Sequence, residues 1–108
     1  MQRLKRRADF LTARQGTRVS GSAFLMQALD RRDAASPRIG FTVTKKTGNS
    51  VERNRIRRRL RAAARNIMSA ARPGFDYVLV ARRGALAVPF DVLIKDLERA
   101  FKKVHAKG

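Results

Sequence analysis

The chain has 108 residues, the length of one domain, and 44% of them are hydrophobic. It carries 26 lysines and arginines against 8 acidic residues, a formal net charge of +18. This length excludes a large enclosed active-site cavity, the absence of cysteine excludes disulfides and thiolate metal sites, and the single histidine, His105, excludes a His-rich zinc site. No apolar run approaches the roughly 18 residues of a membrane span, so we expect no membrane partner. We predict one intracellular, polyanion-binding domain over residues 1–108, with basic, flexible ends at about 1–5 and 105–108.

The apolar pattern predicts secondary structure along most of the chain. A first helix is expected over about residues 6–14, where apolar residues recur at helical spacing. Strands are expected over 23–29 and over 38–44, where apolar and polar residues alternate, with a loop at 31–37 between them. A third strand is expected over 75–82, and a last amphipathic helix follows Pro89. This order of elements predicts a single mixed sheet with helices packed on it.

The most informative segment is a predicted arginine-rich helix over residues 51–72. One stripe of this helix is apolar and consists of Ile56, Leu60, Ala63, Ala64, Ile67 and Ala71. The opposite face carries Asn54, Arg58, Arg61, Arg65 and Arg72, while Arg55, Arg57 and Arg59 lie on the flanks. Arg53 is expected in the first turn on the packing side. Asn49 and Glu52 have the spacing of a capping box, which marks the start of the helix.

The charges of this helix predict a nucleic-acid interface. Arginines four residues apart repel by roughly 0.2–0.5 kcal/mol per pair, and Arg53 and Arg55 lie near the positive end of the helix dipole. A bound phosphate would reverse both penalties. A solvated charged face is the alternative, but such faces normally mix signs. Because no helix-turn-helix, zinc finger or basic zipper is present, we expect RNA and no DNA partner. The aromatic residues either stack on unpaired bases or belong to the core, and Phe10 is the better candidate for stacking.

Residues 45–61 read KKTGNSVERNRIRRRLR. This segment closely resembles the protein component of bacterial ribonuclease P, in which Arg-Asn-Arg opens a basic helix after a Lys-Lys and Gly-Asn turn. The resemblance extends outward to residues 8–10, 16–17, 38–40 and 76–82, in the order and spacing of the family. It therefore covers nearly the whole chain.

The resemblance implies both a fold and an activity. The implied fold is α/β (α+β), with a single four-stranded mixed sheet, three helices and a left-handed βαβ crossover, as in the second domain of ribosomal protein S5. The implied activity is that of the protein subunit of a cytoplasmic ribonucleoprotein endoribonuclease that removes the 5′ leader from precursor tRNA. The catalytic centre is expected in the RNA subunit, which requires Mg²⁺. No catalytic residue, metal site or bound cofactor is assigned to the protein itself.

The resemblance also implies two sets of binding residues. The RNA subunit and its junction with substrate are expected to contact Arg53, Asn54, Arg55, Arg57, Arg58 and Arg61, and the outward-facing Arg65 joins this set. The cleft for the precursor tRNA leader is expected to contain Phe10, Gln27, Thr42, Lys45, Lys46 and Arg53. The sequence departs from the family at two positions: Ala13 or Arg14 stands where a second aromatic is common, and Gln27 replaces a sheet aromatic.

Two other classes of function remain open from the residues alone. A ribosomal or other structural RNA-binding protein could use a similar sheet-and-helix domain. An autonomous nuclease is the third class, but no nucleophile motif or acidic cluster is present in the sequence to support it.

Overall fold

The structure, a computed structural model, describes residues 2–107. It contains five strands and three α-helices in the order β1 (Gln2–Arg3), α1 (Arg7–Ala13), β2 (Thr17–Ser20), β3 (Phe24–Asp30), β4 (Arg38–Thr42), α2 (Ser50–Ile67), β5 (Phe75–Ala81) and α3 (Phe90–Lys107). Short 3₁₀ turns at Lys45–Thr47, Met68–Ala70 and Arg83–Leu86 connect the later elements.

The strands form one mixed sheet in the order β1-β4-β5-β3-β2. Strands β1, β4 and β5 are parallel, whereas β3 is antiparallel to both β5 and β2. Because β4 and β5 are parallel neighbours, α2 is the crossover between them. The predicted mixed sheet and three helices are confirmed.

The prediction of four strands is wrong, since the sheet has five. The additional edge strand β1 has only two residues, Gln2 and Arg3, both of them polar and exposed. A strand this short has no apolar alternation from which it could be recognised.

The two faces of the sheet carry different cores. Helices α2 and α3 cover the first face, where the buried side chains include Phe24, Met26, Ile39, Tyr77 and Leu79. On the second face a smaller cluster of Leu4, Ala13 and Val78 is extended by Phe10, Leu29 and Val80. The sheet therefore separates a large helical layer from a thin layer built around α1.

The start of α2 is fixed by the predicted capping box. The side-chain Oδ1 of Asn49 accepts a hydrogen bond from the Glu52 amide at 2.9 Å, and Glu52 Oε1 accepts one from the Asn49 amide at 3.0 Å. The helix ends at Ile67, five residues before the predicted end, and a 3₁₀ turn continues it. Pro73 and Gly74, whose φ is +82°, then turn the chain into β5.

Candidate nucleic-acid interface

The outward face of α2 presents arginines that have no acidic partner. Arg55, Arg58 and Arg65 are exposed, and no carboxylate in residues 2–107 lies within 4.0 Å of their guanidinium nitrogens. Asn54 is also exposed and accepts a hydrogen bond from Arg57 Nη1 at 3.1 Å. The structure thus brings most of the predicted RNA-binding residues together on one surface.

Arg53 and Arg61 are half-buried on this helix. The Nε atom of each is shielded from solvent and has no hydrogen-bond partner among the described residues. For Arg53 this burial agrees with its predicted position on the packing side. Arg61 still belongs to the outward surface, where it lines one depression with Asn54, Arg57 and Arg58. Burial lowers the pKa of Arg61, and the neighbouring charges of Arg3, Arg57 and Arg65 lower it further.

Two other arginines near α2 are structural. Arg59 Nε donates to the carbonyl of Ala85 at 3.0 Å, and its Nη2 donates to the carbonyl of Val88. Arg59 therefore ties α2 to the segment before α3 and is not free to bind RNA. Arg83 forms a 2.7 Å ion pair with Glu52. The hydrogen bond from Arg83, and then the one from the Asn49 amide, lower the pKa of the Glu52 carboxyl. Neither role was predicted, because each depends on a partner at least 26 residues away.

A groove on the second face of the sheet lies between α1 and β4. Its volume is about 420 Å³, and its lining consists of Lys5, Arg7, Phe10, Leu11, Arg14, Phe41, Thr42 and Val43. Phe10 reaches the sheet because residue 40 is glycine: a Cβ there would lie 2.5 Å from Phe10 Cε1. The ring is half-buried, so one side packs on the sheet and the rest borders the groove.

The structure brings together only part of the predicted leader cleft. Phe10 and Thr42 line the groove, whereas Lys45 and Lys46 are exposed on the 3₁₀ turn just beyond the end of β4. Gln27 and Gly40 both pair with Val78 of β5, from opposite sides, so the two residues lie on the same face of the sheet. Gln27 is only 5% exposed, however, and does not line the groove. Arg53 lies on α2, also outside the groove lining.

Sequence reasoning missed the cations of this groove. Lys5, Arg7 and Arg14 contribute its positive charge. Arg7 and Leu11 lie in α1, and Arg14 is its C-terminal cap. Because these residues are spaced i, i+4 and i+7, their side chains lie on one face of the helix. That periodicity could have identified them.

A second arginine cluster surrounds the buried carboxylate of Asp76. Arg38 binds it through two hydrogen bonds, from Nη2 at 2.7 Å and from Nε at 2.8 Å. Arg31 binds the same carboxylate and also pairs with Asp33 at 3.2 Å, while Arg38 approaches Asp9 at 3.6 Å. The Asp76 side chain is 3% exposed. This cluster joins α1, β4 and β5 to the segment that follows β3, so its charges support the fold.

The single histidine is occupied by a structural contact. The Tyr77 hydroxyl accepts a hydrogen bond from the Arg72 amide at 2.9 Å and lies 2.7 Å from His105 Nε2. In a neutral ring, Nε2 either accepts the hydroxyl proton or donates its own to the hydroxyl oxygen, according to the tautomer. Burial and then the charge of Arg72 lower the pKa of His105, in agreement with a neutral ring. The imidazole supports the packing of α3 on the sheet.

Residues 2–107 contain no group of three His, Cys, Asp or Glu side chains that could hold a metal ion. Within the same residues, no helix is both long and apolar enough to cross a membrane.

The chain is similar to known proteins of a single family. The family model described as Ribonuclease P matches residues 1–105. The ribonuclease P protein component of Brucella suis is 48% identical over 117 residues, covering 98% of this chain and 79% of the relative. That of Ruegeria pomeroyi is 47% identical over 107 residues, covering 95% and 86%.

Solved structures agree with the sequence relatives. The RNase P protein of Staphylococcus aureus has a TM-score of 0.79 and 28% identity, over 94% of each chain. The RNase P protein of Thermotoga maritima has a TM-score of 0.81 and 25% identity, over 96% of this chain and 98% of its own. The arginine-rich helix, the mixed sheet and these similarities lead to one conclusion: the chain belongs to the family of ribonuclease P protein components.

Proposed function

We propose that this protein subunit of ribonuclease P binds two RNAs on two surfaces. The outward face of α2 binds the catalytic RNA subunit, and the groove between α1 and β4 binds the single-stranded 5′ leader of precursor tRNA. The observation that carries the proposal is that Arg55, Arg58 and Arg65 are exposed without an acidic partner in the described part of the chain.

The surface of α2 suits a phosphate backbone. A row of arginines on one helix is self-repulsive, and Arg53 and Arg55 add charge at the positive end of the helix dipole. Phosphates relieve both effects and accept charge-assisted hydrogen bonds from guanidinium groups. We assign to this surface Arg53, Asn54, Arg55, Arg57, Arg58, Arg61 and Arg65.

The groove suits an unpaired nucleotide chain. It combines the half-buried ring of Phe10 with the hydroxyl of Thr42 and the flanking cations Lys5, Arg7 and Arg14. Aromatic rings stack on unpaired bases of any sequence, and basic side chains follow the backbone. Lys45, Lys46 and Arg53 would extend this site beyond the end of β4. Gln27, buried in the sheet, would act only as support for the groove floor.

In this proposal the chemistry belongs to the RNA subunit. Mg²⁺ ions bound by that RNA would promote hydrolysis of the phosphodiester bond. The protein would bind and orient the two RNAs. The same proposal includes a left-handed sense for the β4–α2–β5 crossover, action in the cytoplasm, and a single domain over residues 1–108. Of the ends predicted to be flexible, Gln2–Arg3 form β1 and residues 105–107 belong to α3. Similarity to the family supports the crossover sense and the compartment.

Reconstitution tests the proposal directly. Precursor tRNA is incubated with Mg²⁺ and with the protein alone, the cognate RNA subunit alone, or both. We expect no cleavage by the protein alone and faster cleavage by both together than by the RNA subunit alone. Cleavage by the protein alone would show an autonomous nuclease. A protein that binds RNA but leaves the cleavage rate unchanged would be a structural RNA-binding protein.

Phe10→Ala tests the leader groove. Loss of one base–aromatic stack should weaken binding of precursor tRNA to the holoenzyme by about 1–3 kcal/mol. Binding of mature tRNA, which has no leader, should change little. Phe90→Ala, which removes an exposed aromatic ring at the start of α3, outside the groove, is the control. Equal weakening of both tRNAs by Phe10→Ala would show that Phe10 serves only the core.

A further inference from the structure

Three alternate residues of β4 face α1. Arg38, Gly40 and Thr42 share the second face of the sheet, because side chains two positions apart in a strand point to the same side. Arg38 Nη1 lies 3.6 Å from Asp9 Oδ2, and the ring of Phe10 packs directly over Gly40. Thr42 lines the groove. Asp9 and Phe10 are consecutive residues of α1, so β4 contacts this helix at two adjacent points.

Helix α1 is too short to keep its position without such contacts. It has seven residues, and within residues 2–107 its N-cap, Arg6, makes no capping hydrogen bond through its side chain. Isolated helices shorter than about 12 residues are only marginally stable in water. Ala13, which is fully buried, anchors the C-terminal end on the sheet. The ion pair of Asp9 with Arg38 therefore acts at the other end of the helix, beside the groove.

The direction of the Arg38 side chain is fixed by Asp76. Arg38 Nε and Nη2 donate to the two carboxylate oxygens of Asp76 at 2.8 and 2.7 Å. A guanidinium group is planar, so these two bonds fix where its third nitrogen, Nη1, lies. The Asp76 side chain is 3% exposed and belongs to the central strand β5. Asp9 is thus connected through Arg38 to the middle of the sheet.

An acidic residue is unexpected at this place. The lining of the groove includes Lys5, Arg7 and Arg14 and, among the described residues, no acid. Asp9 lies just outside that lining, in a depression that borders β1. A carboxylate this close to a polyanion weakens binding by repulsion. Its presence is explained if it contributes more to binding by holding α1 than its charge costs.

We propose that Asp9 is a positioning residue for the 5′ leader of precursor tRNA. Held by Arg38, it keeps α1 in place over β4, so that the groove beside Phe10 is formed before the leader arrives. The inference rests on the proposed binding of the leader in this groove and adds what fixes the shape of the groove. When only a fraction of molecules has the competent shape, the apparent affinity is the intrinsic affinity multiplied by that fraction. Neither Asp9 nor Arg38 needs to contact RNA in this role.

Asp9→Asn separates positioning from a charge effect, because the two predict changes of opposite sign. The substitution keeps the size of the side chain and removes its charge, while the bonds between Arg38 and Asp76 remain. Through charge alone, Asp9→Asn would bind precursor tRNA more tightly than the wild-type protein. Through positioning, we expect about threefold to fivefold weaker binding of precursor tRNA by the holoenzyme. Binding of mature tRNA, which has no leader, should be unchanged.

Two further variants serve as controls. Asp91→Asn removes the same charge from the first turn of α3 and should leave the binding of both tRNAs unchanged. Asp9→Glu retains the carboxylate and should bind precursor tRNA like the wild-type protein, since the longer side chain still reaches Arg38 Nη1. Melting temperatures of all three variants are measured in parallel. That of Asp9→Asn should fall only slightly, because partly exposed ion pairs contribute little to stability.

A double variant shows whether Asp9 acts through the groove. After Phe10→Ala, the further loss of precursor tRNA affinity on Asp9→Asn should be smaller than in the wild-type protein, because the ring that α1 positions is gone. A general loss of structure in Asp9→Asn would instead weaken both tRNAs alike and would add to the effect of Phe10→Ala.

Unchanged or tighter binding of precursor tRNA by Asp9→Asn would overturn the positioning role. Equal weakening of precursor and mature tRNA by this variant would overturn it too. In both cases the leader groove itself stands if Phe10→Ala still weakens the binding of precursor tRNA alone. If Phe10→Ala leaves precursor tRNA binding unchanged, the proposed leader groove fails, and the inference fails with it.

Discussion

The two arginine clusters of this protein use one residue type in opposite ways. Arg31 and Arg38 surround the buried carboxylate of Asp76 and connect separate elements of the fold. Arg58 and Arg65 extend from α2 without a carboxylate partner among the described residues. The comparison teaches that an excess of arginine does not by itself locate a binding surface. The surface is found where the arginines have no acid to pair with.

The largest expected effect is on the paired cluster. Asp76→Ala leaves Arg31 and Arg38 facing each other without their shared carboxylate, and breaking such a buried pair costs about 3–5 kcal/mol of unfolding free energy. Urea unfolding followed by circular dichroism measures the loss. Asp91→Ala, at an exposed position in the first turn of α3, should cost about 1 kcal/mol or less. Equal costs for the two variants would show that the cluster does not hold the fold.

A smaller effect, on affinity and not on stability, is expected for the unpaired cluster. Arg58→Ala or Arg65→Ala should weaken binding of the RNA subunit by about 1.5 kcal/mol, the low end for hydrogen bonds to charged groups. The salt slope should fall in magnitude by about 0.7–0.9 for each. The melting temperature should hold or rise, because each substitution removes like-charge repulsion.

Salt-titrated binding beside melting curves separates the two clusters. The control is Arg99→Ala, which removes an exposed arginine of α3 that pairs with Asp96. If Arg58→Ala and Arg65→Ala leave both affinity and salt slope unchanged, α2 is not the RNA-binding face. If either variant melts well below the wild-type protein, that arginine supports the fold after all.

The smallest expected effect is a pH dependence of stability, which should be found only where an arginine is paired with a carboxylate. The hydrogen bond from Arg83, and then the Asn49 amide, lower the pKa of Glu52 below its ordinary value of 4.5. The carboxylate therefore adds stability that is fully present above pH 4.5 and is lost as the pH falls through the lowered value. Glu52→Gln should reduce the unfolding midpoint at pH 7, and the difference from wild type should shrink on acidification.

Arg58 has no carboxylate partner in the described residues, so the effect of Arg58→Ala on stability should not vary over this pH range. Thermal unfolding at intervals between pH 7 and pH 3 measures both variants. A constant difference between Glu52→Gln and wild type would show that the Glu52–Arg83 pair does not contribute to stability.

Local sequence signals were sufficient for α2 and for the three inner strands. The capping box of Asn49 and Glu52 marked the start of the helix within one residue, and its buried stripe follows the predicted periodicity. Strand β2 was missed because Val19 is its only apolar residue and its other side chains are exposed or half-buried. Its pairing with β3 supplies the stability that the sequence pattern does not reveal.

The candidate site was predictable in composition but not in geometry. Helical spacing placed Arg58 and Arg65 outward correctly because that direction depends on α2 alone. Arg61 is half-buried, and Arg59 turns inward because the carbonyls of Ala85 and Val88 accept hydrogen bonds from its guanidinium group. These orientations depend on contacts between distant segments, which periodicity does not encode.

The central position of β5 has a consequence for how the chain acquires its structure during synthesis. Strands β3 and β4 flank β5 in the sheet, and each pairs with it. A ribosome-bound chain that ends before Phe75 has the β2–β3 hairpin and the segment of α2, but lacks the strand that joins the two halves of the sheet. The arginines of α2 thus leave the ribosome before the sheet beneath them can close, so this highly basic chain meets cellular RNA while its fold is still incomplete.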